Sequence, residues 1–127
     1  MGLLSGLLGL ASDVDTGALG RELEPVLLPN ETIEVAFQVV RDQIAFTDRR
    51  VILIDKQGIS GRKRQYHSIP YRAITMFSVE TAGSFDTDAE LRIWVSGQGQ
   101  PFLQNLSRGT NLAGIQKALA GGVLGRS

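Results

Sequence analysis

From Thr32 to Leu106 apolar residues recur at alternate positions, in short runs separated by turn residues, and no helical crossover interrupts the series. This pattern narrows the fold more than any other feature. Strands joined at hairpin spacing pair antiparallel, whereas parallel pairs need a long connecting segment. The runs fall at Ile33 to Val39, Gln43 to Thr47, Arg50 to Asp55, Gln65 to Tyr71, Ala73 to Thr81, Ala89 to Ser96 and Phe102 to Leu106. In the first run Ile33, Val35, Phe37 and Val39 alternate with Glu34, Ala36, Gln38 and Val40, which predicts a strand with one face in the core. The intervening stretches "TDRR", "AGSFDTD" and "GQGQP" have the composition of turns.

Helical periodicity is confined to the two ends. Leu3, Leu7, Leu10 and Val14 make one stripe of a short helix that packs on the domain or on a neighbouring subunit. The alternative is a weak interfacial membrane anchor, although no Lys or Arg flanks the stripe. The same stretch lacks the basic region of a secretory signal, and Gly6 stands where a myristoylation pattern needs Ser or Thr. Residues 16 to 28 predict a second short helix, capped by Thr16, burying Leu19 and Leu23, and stopped by Pro25 and Pro29. Near the other end Thr110 or Asn111 caps a helix whose apolar stripe is Leu112, Ile115 and Leu119. Gly121 is placed to end it in the left-handed conformation. The sum is a mainly β domain, an antiparallel barrel or sandwich of about seven strands with a C-terminal helix able to plug one open end.

At 127 residues the chain holds one domain and its core. A formal net charge of +0 gives no global field toward nucleic acid or an anionic bilayer, so electrostatic binding needs a local patch and no nucleic-acid partner is expected. With no cysteine, disulfides, thiolate catalysis and cysteine-ligated metals are excluded, and a reducing cytoplasmic setting fits.

Some strands are apolar on both faces. Val51 to Ile54 and Met76 to Val79 show this, and Trp94, the single tryptophan, lies on the side of its strand that Glu90, Arg92 and Ser96 mark as wet. A one-layer barrel cannot bury these surfaces unaided. Ile52, Ile54 and Trp94 are therefore candidate oligomer-interface residues. Cover by the N-terminal helices is the alternative, and both arrangements can hold at once.

The chemistry-bearing residues are sparse. His67 is the single histidine and sits on a predicted strand in register with Ile69, so a triad or a multi-histidine metal site has little to build on. "DTDAE" brings Asp86, Asp88 and Glu90 close in sequence but lacks the glycine and distal glutamate of a calcium loop. No catalytic or metal-binding constellation emerges, and no cofactor is expected. "GISGRKR" is followed by a strand, whereas a P-loop ends in Gly-Lys-Ser/Thr and opens a helix. Local charge remains: Lys56, Arg62, Lys63 and Arg64 form a candidate anionic-ligand patch, set against a plain solvated hairpin loop.

The wording of the chain adds to this. "LEPVLLPNE", "IAFTDRRVILIDKQGISGRKRQYHSIPYRAI", "FSVETAGSFDTDAELRIWVSG" and "GTNLAGIQKALA" resemble the small single-domain members of the bacterial pleckstrin-homology-like family, from about Leu23 to Ala120, with the first dozen residues outside the match. The resemblance implies a PH-like barrel of seven strands closed by the C-terminal helix. It further implies homo-oligomeric rings, five subunits being the usual count. It brings no ligand. The expected division of the chain is an N-terminal helical extension over 1–22, a PH-like domain over 23–121 and a flexible tail over 122–127. The basic pattern by which eukaryotic PH domains hold phosphoinositides is not matched in the short loop at Arg41, Asp42 and Gln43. The expected role is a non-enzymatic, self-assembling interaction module that scaffolds or binds proteins in the bacterial cytoplasm. The alternative is a peripheral binder of anionic lipid headgroups or phosphate ligands at the inner membrane, through the basic hairpin.

Overall fold

The structure is a computed structural model that describes residues 16–39, 42–58, 62–81, 89–106 and 111–125. The expectations placed on Leu3 to Val14, on Asp86 and Asp88, on Arg41 and on a cap at Thr110 lie outside the described residues. Helix α1 (Thr16–Leu23) leads into strands β1 (Ile33–Val39), β2 (Asp42–Thr47), β3 (Arg50–Gln57) and β4 (Lys63–Pro70). A 3-10 turn, Tyr71–Ala73, then precedes β5 (Ile74–Thr81), β6 (Ala89–Val95), β7 (Phe102–Leu106) and helix α2 (Leu112–Val123). The strands form a four-stranded sheet, β1-β2-β3-β4, and a three-stranded sheet, β5-β6-β7, antiparallel throughout.

The alternation puts one face of each sheet into a shared core. Val35, Phe37, Val39, Ile44, Phe46, Val51, Leu53 and Ile69 come from the first sheet, Leu91, Ile93 and Leu106 from the second. Phe37 and Phe46 meet edge to face with centroids 5.9 Å apart. Helix α2 closes this core with Ile115 and Leu119. Asn111 caps it by accepting a hydrogen bond from the Gly114 amide at 2.9 Å.

Two local expectations need correction. Gly121 does not end α2: the helix runs on to Val123 and its C-cap, Leu124, is right-handed (φ −110°, ψ −29°). The glycine that the fold needs is Gly122, which is buried and where a Cβ would overlap the Tyr71 ring. A close approach, not a left-handed turn, explains it, and residue 122 belongs to the domain rather than to a tail. Ile33 does not share the core face with Val35. A bulge between them shifts the register, and Ile33 packs on the outer side of the first sheet.

That outer side carries a second, smaller core. Leu19 and Leu23 of α1 lie on Ala36, Ala45, Ile52 and Ile54, with Leu27 and Ile33 at the margin. Ala36 and Ala45 are cross-strand partners, and Ala45 is next to Ile52, so small side chains let the helix approach the sheet. The helix ends at Leu23 and the chain turns at Glu24 to Val26, where Pro25 disfavours helical backbone at Glu24. A buried knot fixes the descent: Glu31 accepts hydrogen bonds from Arg50 Nε and NH2 at 2.8 Å, from Thr47 Oγ1 at 2.7 Å and from the Leu28 amide at 3.0 Å. Arg50 also donates to the Val26 carbonyl at 2.7 Å. Among the described residues no helix is long and apolar enough to cross a membrane.

Candidate functional site

Two surfaces carry the candidate residues. The first is the β3–β4 hairpin, which turns at Gly58 with φ +80°. The strands pair Lys56 with Arg64 and Gln57 with Lys63. Alternation therefore divides the predicted patch. Lys56 and Arg64 stand together on the outer face, alongside Ile54 and Tyr66, while Lys63 belongs to the opposite face. Arg62, exposed, precedes the strand. Strand β4 begins at Lys63, so the basic residues continue into an exposed strand that was expected to start at Gln65.

Arg64 of this pair is engaged by α1. Glu22 accepts from Arg64 NH1 and, at 2.8 Å, from the Tyr66 hydroxyl, both on the same oxygen, Oε2. Burial pushes the Glu22 carboxyl up, but the bonds from Arg64 and Tyr66 and the charges of Arg64 and Lys56 outweigh it and hold it below the usual carboxylate range. The same acid raises the pKa of Arg64. This arrangement depends on a residue 42 positions away from Arg64, and no spacing rule within the hairpin foretells it.

The second surface is the outer face of β5-β6-β7. Trp94 lies opposite Met76, and Leu103 opposite Arg92. Met76 is 52% and Leu103 53% exposed, and with the half-buried Trp94 they share the face turned away from the core as an apolar patch. Arg92 borders it, bonded to Glu80 at 2.9 Å and Glu90 at 2.6 Å. The tryptophan was visible in the sequence as an outward aromatic. Met76 and Leu103 join it only through cross-strand register, which a bulge between Ile74 and Met76 helps to set.

The other two candidate interface residues are corrected by the fold. Ile52 and Ile54 are fully buried within the single chain, under Leu19 and Leu23 of α1. Their apolar surface is already covered. His67 packs its ring on Phe102 with centroids 5.4 Å apart, linking β4 to β7 between the sheets. Among the described residues no group of three His, Cys, Asp or Glu side chains comes together to hold a metal.

Comparison with known proteins agrees with this geometry. A family model described as bacterial PH domain matches residues 2–123, so the first dozen residues are not outside the family's span. The chain is 51% identical to the uncharacterized protein YjqA of Bacillus subtilis (strain 168), over 94% of this chain and 97% of that one. A solved pleckstrin homology domain from Shewanella amazonensis SB2B superposes with a TM-score of 0.85 at 54% identity, covering 97% of this chain and 99% of that one. A DUF1696 family protein with a pleckstrin-homology domain from Shewanella loihica PV-4 gives a TM-score of 0.79 at 51% identity, covering 90% and 97%.

Proposed function

The chain belongs to the bacterial PH domain family, and from that premise we propose that it is a non-enzymatic interaction module whose copies assemble through the outer face of β5-β6-β7, as a scaffold or protein-binding domain of the bacterial cytoplasm. The observation that carries this is the contrast between the two outer faces. One is covered by α1 within the chain, while on the other, among the described residues, Met76 and Leu103 stand exposed beside a half-buried Trp94. An aromatic flanked by aliphatic side chains and rimmed by an Arg–Glu network has the composition of an interface centre with a polar edge.

The occupant is a second copy of the same chain. If the patch meets a different surface on its neighbour, the contact repeats head to tail and closes into a ring. Five subunits is the count implied by the family resemblance. Trp94→Glu and Leu103→Asp each place a charge in the patch and should shift sedimentation toward the single-chain species. Charge reversal at Lys63, exposed but on another surface, should leave sedimentation unchanged. Equal sedimentation of wild type, Trp94→Glu and Leu103→Asp would remove this face from the assembly.

A further inference from the structure

We propose that Arg64, Tyr66 and Lys56 form a preformed site for a phosphate monoester, and that Glu22 of α1 is its resident intramolecular occupant, which the ligand must displace. Lys56 and Arg64 are direct cross-strand partners on the outer face. Like charges in that relation repel, so the pair is favourable only with an anion between or above it. The Glu22 carboxylate supplies one. It sits on Arg64 and the Tyr66 hydroxyl through a single oxygen and lies within the field of Lys56.

The donors are held independently of this occupant. β3 and β4 pair without interruption from Arg50↔Pro70 to Gln57↔Lys63, so the backbone that carries Arg64 and Tyr66 side by side on this face does not depend on Glu22. Glu22 is the removable part. It is carried by an eight-residue helix anchored by Leu19 and Leu23, and its side chain is 26% accessible beside an Arg64 that is 33% accessible. A side-chain rotation therefore opens the site without lifting α1. A phosphate monoester presents three acceptor oxygens and about two negative charges at neutral pH, against the single charge of the carboxylate. It can bridge the guanidinium, the phenol and the ammonium that one Glu22 oxygen reaches incompletely. The site needs one chain only, so it stands or falls apart from assembly.

The test compares wild type with Glu22→Gln, which keeps the shape of the side chain and removes its charge. Glycerol phosphate serves as the soluble probe, and vesicles of phosphatidylcholine with phosphatidic acid present the same group at a surface. Glu22→Gln should bind more tightly by about two- to fivefold, the range of an exposed ion pair that no longer competes. The gain should vanish in Glu22→Gln combined with Arg64→Gln and shrink in Glu22→Gln combined with Tyr66→Phe. A gain with both probes assigns the phosphate group alone as the ligand, and a gain confined to the vesicles assigns a lipid headgroup. Binding of Glu22→Gln no tighter than wild type on either probe would overturn the proposal. So would a gain that survives the loss of Arg64.

Discussion

Burial alone would raise the pKa of Glu31, yet the bonds from Arg50, the Leu28 amide and Thr47, with the charge of Arg50, bring it down to about 2. A folded-state pKa below the unfolded value of 4.5 adds stability that is fully present above pH 4.5 and is lost as pH falls toward about 2. The shift corresponds to about 3 kcal/mol. Denaturant midpoints followed through that window should fall steeply for wild type. They should change much less for Glu31→Gln, which begins from a lower stability at neutral pH, and parallel profiles would contradict the assignment. At the other end of the chain, adjacent glycines separate two explanations. Gly122→Ala forces a Cβ into the Tyr71 ring and should cost about 1–3 kcal/mol. Gly121→Ala meets nothing within 4 Å inside a helix and should stabilise by about 0.5–1 kcal/mol. A destabilised Gly121→Ala would restore the left-handed ending that the sequence suggested. Tyr71 explains why sequence favoured the wrong glycine, since its buried ring and its 2.6 Å bond to the Thr47 carbonyl are contacts distant in sequence.

Elements were legible wherever hydropathy alternates with one wet face. β6 and β7 lie close to their expected bounds because Ala89, Leu91 and Ile93 point inward between Glu90 and Arg92. β4 was harder to bound: Lys63 and Arg64 are strand residues, but on an exposed strand their charge looks like a loop. The Ile33 bulge left no mark in a simple alternation count. The doubly apolar run Val51 to Ile54 correctly signalled that something covers the first sheet, but a one-dimensional pattern does not say that α1 crosses this sheet rather than the other. The packing of α1 makes a prediction of its own. Leu23→Ala should loosen the helix and speed amide exchange at residues 16–23 and at Ile52 and Ile54 beneath it. The inner core residues Val35 and Phe37 should keep their protection. Uniform acceleration over both cores would show that α1 is inseparable from the barrel.

At the scale of the whole molecule, the two sheets differ in what covers them. The first is sealed by a helix of its own chain, while the second presents Trp94 between Met76 and the Arg92 network. The family and fold were readable from the wording and order of the strands. The basic patch was legible only as composition, because its division between two faces and its engagement by Glu22 are set by register and by a distant helix. Trp94 should serve as its own reporter, with emission shifting to the red on dilution as water reaches the indole. The most direct test of the assembly claim is the mass of the purified chain by light scattering after gel filtration, across a dilution series. Assembly through this face requires a species several times the 13.7 kDa of one chain, reduced toward that value by Trp94→Glu. A wild-type protein that elutes as a single chain at every concentration would contradict it.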